Sequence, residues 1–176
     1  MKNIALVGFM GSGKSTIGNI IAKRIGYSYI DVDKRIEEKT GRTISDIFRK
    51  DGENTFRRIE AAVLKDVLKS TAAVISCGGG IVIQKENRRL LKQGSLVVYL
   101  KAEPEEIYRR VGNTGRERPL LKVDDPQAEI NRLLKEREPV YQEVADIVVD
   151  TTGRTASEAA ELVIKELELR DYRQRC

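Results

Sequence analysis

Eight residues near the amino end, Gly8-Phe9-Met10-Gly11-Ser12-Gly13-Lys14-Ser15, constrain this chain more than any other feature. They fill every fixed position of the phosphate-binding pattern G-x-x-x-x-G-K-S/T. The pattern carries weight only between the end of a buried strand and the start of a helix. That context is present. Ile4-Ala5-Leu6-Val7 reads as a short buried strand, and Ile17, Ile20, Ile21 and Ile25 then fall at helical spacing. Glycines at 8, 11 and 13 let backbone N–H groups turn toward phosphate oxygens. The helix start adds free N–H donors and a partial positive charge. Lys14 can bridge terminal phosphates, and the Ser15 hydroxyl suits Mg²⁺.

Size and composition bound what surrounds this loop. The 176 residues suit one compact domain, 1–176. No apolar run approaches the length of a membrane span, and the chain enters its first strand at once, so neither a membrane partner nor a leader is expected. Cys77 and Cys176 do not suggest a disulfide framework. These features point to a cytoplasmic protein. The net charge of +5 is spread among interleaved acids, and Trp is absent. That favours small anionic ligands such as ATP over nucleic acid, which would want basic stripes and stacking platforms. With no histidine in the chain, a general base must come from Asp, Glu, Lys, Tyr or Cys.

Apolar runs at 4–7, 27–32, 73–76, 96–100 and 146–149 alternate with helical patterns, the signature of an α/β fold with a parallel sheet covered on both faces. Helices are expected over 53–69 and 126–143, the second disturbed by Pro139. A last helix begins at Thr155 with Glu158 in capping-box spacing, and 170–176 reads as a frayed tail. The segment 112–121 carries Gly112, Gly115, Arg116, Arg118 and Pro119, with no apolar residue before Leu120. It reads as a lid that excludes water and brings positive charge to a phosphoryl group.

Four further places carry chemistry. Asp31 and Asp33 flank Val32 at the end of the second strand, where a period of two puts both carboxylates on one side. One suits Mg²⁺ through water, and the other suits the proton of an attacking hydroxyl. The competing assignment makes Asp33 a helix cap. Arg57 and Glu60 are helix neighbours, either an exposed ion pair or a guanidinium oriented to grip a carboxylate. Gly78-Gly79-Gly80 directly follows a strand, as expected where backbone must approach a ligand. Arg137, taken alone, reads as a surface arginine, and Cys77 as a small buried residue.

Taken together, these pieces resemble the shikimate kinase family. The family's phosphate loop, Asp-x-Asp, Phe-Arg-x-x-Glu, triple glycine, Arg-Pro-Leu-Leu and Arg-x-Pro-x-Tyr appear in order. Here they are Gly8–Ser15, Asp31/Asp33, Phe56-Arg57-Arg58-Ile59-Glu60, Gly78–Gly80, Arg118-Pro119-Leu120-Leu121 and Arg137-Glu138-Pro139-Val140-Tyr141. The phosphate loop is shared by many families, whereas Phe-Arg-x-x-Glu followed by three glycines is far more specific. The resemblance implies a P-loop NTPase fold like that of the nucleoside monophosphate kinases, with a five-stranded parallel sheet flanked by helices and a lid. It implies phosphorylation of shikimate to shikimate 3-phosphate by ATP, a step toward the aromatic amino acids. Segment 33–60 becomes the substrate-binding part.

By the same resemblance, Asp33, Arg57, Gly79 and Arg137 contact shikimate, joined in this reading by Glu60, Gly78 and Gly80. Gly11, Ser12, Gly13, Lys14, Ser15, Thr16 and Arg118 contact ATP. Arg110 and Arg154 match positions near the adenine. Ser15 holds Mg²⁺, with Asp31 in its outer sphere. The catalytic set is Lys14, Asp33 and Arg118, in a chain read as a monomer. Two alternatives are weighed against this. A gluconate kinase of the same fold also takes a polyhydroxy acid, but Phe-Arg-x-x-Glu with three glycines argues against it. A nucleotide-binding switch should carry Asn-Lys-x-Asp, which is absent.

Overall fold

The period-two alternation of the strands sorts the core into two layers. On β1 (Asn3–Val7), Ala5 and Val7 join one apolar cluster while Ile4 and Leu6 join another. On β3 (Ala73–Ser76), Ala73 and Ile75 take the first side and Val74 the second. On β4 (Ser95–Lys101), Val97 and Tyr99 oppose Val98 and Leu100 in the same way. Strands apolar on both faces must be covered on both. Each fully buried Val, Leu or Ile contributes roughly 1.5–3 kcal/mol of transfer free energy.

The computed structural model describes residues 2–112 and 119–175. The remaining strands are β2 (Ser28–Asp31) and β5 (Ile147–Asp150). All pairings are parallel, in the order β2-β3-β1-β4-β5. The five-stranded parallel sheet expected from the family resemblance is therefore present. The helices are α1 (Lys14–Ile25), α2 (Val32–Thr40), α3 (Ile44–Val67), α4 (Lys85–Gly94), α5 (Pro104–Gly112), α6 (Pro126–Val144) and α7 (Ala156–Arg175). β1 sits in the middle of the sheet. The chain leaves it toward β2 and β3 on one side and later crosses to β4 and β5 on the other. That reversal opens a crevice beyond the carboxyl end of β1, the usual ligand position in open α/β sheets.

The structure departs from the sequence-based boundaries at four informative places. The strand expected over 27–32 stops at Asp31, because α2 begins at once with Val32. The helix expected from 53 is preceded by about two further turns of helix from Ile44, and the two meet at Gly52, with φ 78° and ψ 169°. Only glycine adopts such a backbone readily. Pro139 lies inside α6, yet the helix continues to Val144. α7 reaches Arg175, through the stretch read as a loose tail, and Arg170 Nη1 donates to the Asp146 carbonyl at 2.8 Å. The capping box before α7 closes in both directions, Thr155 N to Glu158 Oε2 at 2.8 Å and Glu158 N to Thr155 Oγ1 at 3.3 Å.

Candidate active site

The phosphate loop joins β1 to α1 with Gly8, Gly11 and Gly13 at φ 145°, 80° and 91°. A Cβ on Gly8 would stand 2.5 Å from the Leu100 carbonyl oxygen, so the loop is also packed hard against β4. Lys14 is buried and its Nζ donates to the Gly8 and Phe9 carbonyls at 2.8 and 2.7 Å. α1 has neither a side-chain cap nor an acid in its first turn. Its orphan N–H groups and dipole therefore face the loop's hollow, an arrangement that suits an anion.

Asp31 and Asp33 do not leave a strand together, because β2 ends between them. Asp31 caps α2, with its Oδ1 accepting the Lys34 amide at 3.2 Å. The cap is thus Asp31, and the assignment of that role to Asp33 is overturned. Asp31 Oδ2 accepts from Ser15 Oγ at 3.0 Å and from the Tyr29 hydroxyl at 3.1 Å. Ser15 Oγ also lies 3.4 Å from Ser76 Oγ at the end of β3. Burial, reinforced by the charge of Asp31, pushes the Tyr29 hydroxyl up to about 12, so it keeps its proton as a donor. Asp33, in the first turn of α2, faces a different space.

That space is a cavity of about 300 Å³, small enough for a single-ring acid. Asp33, Arg57, Glu60, Gly78, Gly79, Gly80 and Arg137 all line it. Arg57 and Glu60 were open to an exposed reading. The structure instead buries them, with Glu60 0% and Arg57 7% exposed, and joins Nη1 to Oε2 at 2.8 Å. Arg57 Nε and Nη2 also reach Glu53 Oε1 at 3.2 and 2.9 Å. Burial pushes the Glu60 carboxyl above its ordinary range, and the Arg57 charge opposes this without cancelling it. Burial works against the charge on Arg57, but Glu60 and Glu53 together outweigh it and hold its pKa up.

The three glycines take none of the left-handed conformations found in the phosphate loop. Their reason is space. A Cβ on Gly80 would fall 2.3 Å from Arg57 Nη2, and one on Gly78 would fall 2.7 Å from Glu60 Oε1 and 3.0 Å from Asp33 Oδ1. The turn is glycine-rich so that charged side chains can converge on its backbone. The Tyr141 hydroxyl donates to the Gly79 carbonyl and holds the turn to α6. Arg137, one helical turn earlier, is 6% exposed and sits 5.8 Å from the Phe9 ring centroid. Its Nε and Nη1 are buried without a hydrogen-bond partner. A buried guanidinium with unused donors on a cavity wall is what an incoming carboxylate would satisfy.

At the other end of the loop, Arg110 Nη2 donates to the Thr151 carbonyl at 2.7 Å and Nη1 lies 3.5 Å from the Gly11 carbonyl. It ties the loop tip to the turn after β5, where Arg154 Nε reaches the Asp150 carbonyl at 3.1 Å. Arg118 and most of the expected lid lie outside the described residues. At its end, Leu120 lines the cavity and Leu121 packs beside Phe9 and Ile130. Cys77 is buried, and desolvation pushes its thiol far up, which suits packing and not nucleophilic attack. Sequence reading missed Tyr29, Glu53, Thr43, Ile44 and Phe48. Tyr29 was detectable from its place two residues before Asp31. The others depend on how α3 folds over the cavity.

Comparison with known proteins agrees with this geometry. The family model described as shikimate kinase matches residues 10–168. A shikimate kinase of Thermodesulfovibrio yellowstonii is 44% identical over 168 residues, 96% of each chain. A structure of the Acinetobacter baumannii shikimate kinase in complex with shikimate superposes with a TM-score of 0.93 at 39% identity, covering 97% of this chain and 94% of that one. A gluconokinase of Sinorhizobium meliloti shares the fold at a TM-score of 0.55 and 18% identity over 98% of this chain and 97% of its own. With the phosphate loop, the arginine-lined cavity and the match over nearly its whole length, the chain belongs to the shikimate kinase family.

Proposed function

We propose that this chain transfers the terminal phosphoryl group of ATP to the 3-hydroxyl of shikimate, giving ADP and shikimate 3-phosphate on the route to the aromatic amino acids. The observation that carries the reading is the cavity beside the phosphate loop, with two buried arginines and an aspartate on its wall. Arg57 and Arg137 together match a substrate with one carboxylate. Asp33, near Glu60 and Gly78, matches its hydroxyls. The related Acinetobacter protein was solved with shikimate bound, and the gluconokinase likeness speaks for the fold alone.

In this reading the substrate carboxylate takes the unused donors of Arg137 and the guanidinium of Arg57, which Glu60 holds in place. The backbone of Gly78–Gly80 borders the ring. Asp33 orients the attacking hydroxyl and accepts its proton. The hydroxyl oxygen bonds to the terminal phosphorus as the bond from phosphorus to the bridging oxygen breaks, leaving ADP. The phosphates lie in the loop from Gly11 to Thr16 and at the start of α1. Lys14 and Arg118 stabilise charge on the moving group. Arg110 and Arg154 border the nucleoside end.

Ser15 Oγ and Asp31 Oδ2, 3.0 Å apart at the foot of α1, fit a hard cation that takes few protein ligands. Mg²⁺ suits such a pair, since it keeps water and phosphate oxygens in its shell. Ser15 would bind it directly and Asp31 through water. When bound, it neutralises phosphate charge.

We further propose a cytoplasmic monomer. The phosphate loop and the cavity beside it are built side by side within this chain, and no helix among the described residues is long and apolar enough to cross a membrane. ADP release in the presence of shikimate, with sedimentation of the active species, tests both parts.

A further inference from the structure

Tyr29 stands on β2 two residues before Asp31, and nothing in the mechanism above uses it. Residues two apart on a strand share a side, and its hydroxyl donates to Asp31 Oδ2 at 3.1 Å. The same oxygen accepts from Ser15 Oγ at 3.0 Å. The other carboxylate oxygen is committed to capping α2 through the Lys34 amide at 3.2 Å. Oδ2 is therefore the oxygen shared with Ser15, and the Tyr29 hydroxyl, which also lies close to Ser15 and Ser76, helps to fix its direction.

The tyrosine ring has a built seat. Gly18 is buried within α1, where glycine weakens a helix. A Cβ there would stand 3.0 Å from Tyr29 Cε2 and 2.9 Å from Leu6 Cδ1. Glycine thus lets the ring lie directly against the helix that carries Ser15. Tyr29, Asp31, Ser15 and Lys34 line one cleft.

We propose that Tyr29 is a positioning residue for the metal–nucleotide complex, its hydroxyl orienting Asp31 Oδ2 toward the cation held at Ser15. This rests on the reading of Ser15 and Asp31 as the cation residues. Outer partners of this kind act by restricting a ligand's orientation, not by binding the ion themselves.

The test is calorimetric titration with ADP, with and without Mg²⁺, on the wild type, Tyr29→Phe, Asp31→Asn and the double variant. Tyr29→Phe keeps the ring in its seat and removes only the hydroxyl. It should weaken ADP binding about 3–10-fold with Mg²⁺ present, the scale of one hydrogen bond, and leave metal-free ADP binding unchanged. In the Asp31→Asn background, it should add less than about twofold, because the two act through one oxygen. Equal losses with and without Mg²⁺, no loss at all, or full additivity would overturn the proposal. If Asp31→Asn itself leaves Mg²⁺-dependent binding intact, the cation reading fails and this inference with it. A loss in Asp31→Asn beside an unaffected Tyr29→Phe sinks this inference alone.

Discussion

Glu60 holds Arg57 by a 2.8 Å ion pair in which the two side chains are 1% and 8% exposed. Such a pair adds little net stability, since desolvation offsets attraction, but losing one partner leaves the other uncompensated. Its value here is orientation of a cavity-lining guanidinium. Arg57→Ala or Arg137→Ala should weaken shikimate binding by about 2–4 kcal/mol, the range for a truncated buried charged contact. ATP binding should stay nearly unchanged. Parallel loss of both ligands would place the damage in the fold.

Glu60 also gives a pH prediction. Its carboxyl lies above the ordinary value of 4.5 because of burial, so the folded state binds that proton more tightly than the unfolded state. The contribution to stability is greatest below 4.5 and is lost as pH rises through the elevated folded value. Urea unfolding of wild type and Glu60→Gln across this range isolates the effect. The difference between them should move against the wild type as pH rises. A difference that is flat in pH, or moves the other way, contradicts the buried-carboxylate account.

Gly80→Ala tests why the glycine turn exists. The added methyl would press on the Arg57 guanidinium, 2.3 Å from Nη2, and a side-chain end can move more easily than backbone. The variant should fold with a Tm within a few degrees of wild type, yet bind shikimate at least about tenfold more weakly because the guanidinium is displaced. Unchanged shikimate binding would mean that Arg57 has room to adjust.

The aspartates should separate by metal dependence. Asp33→Asn should lower kcat strongly at every Mg²⁺ concentration, because the proposed mechanism has Asp33 act on the attacking hydroxyl. Asp31→Asn should be partly rescued by raised Mg²⁺. Identical Mg²⁺ profiles for the two variants would remove this division.

Arg118 is expected to act at the phosphates. Arg118→Ala should lower kcat by roughly a hundredfold or more, the scale for removing one preorganised charge stabiliser. Shikimate binding without nucleotide should barely change. Normal turnover would reduce 112–121 to an ordinary connection.

Much of this site was legible before the structure, and the reason is local. A strand, a glycine-rich loop and a helix in sequence specify the phosphate cradle because their spacing alone creates it. The parallel sheet was legible because its strands are apolar on both faces. The shared strand face of Asp31 and Asp33 was misread for an equally local reason. Period-two logic was carried two residues past the strand end, to Asp33, while the Asp31 carboxylate was already bonded to the Lys34 amide. Burial of Arg57 and Glu60 could not be read, because an i,i+3 pair looks the same on an exposed face and on a cavity wall. Only the approach of Gly78–Gly80 and Tyr141, far away in sequence, distinguishes them. The Gly52 kink was also hidden, since helical spacing resumes on both sides of it.

Shikimate phosphorylation is tested most directly by coupled measurement of ADP release over shikimate, quinate, gluconate and nucleoside monophosphates with Mg²⁺ and ATP. The account predicts that shikimate accelerates ADP release far above every other compound, with shikimate 3-phosphate formed in equal amount. Faster turnover with gluconate or a nucleoside monophosphate, or ATP hydrolysis indifferent to shikimate, would contradict it.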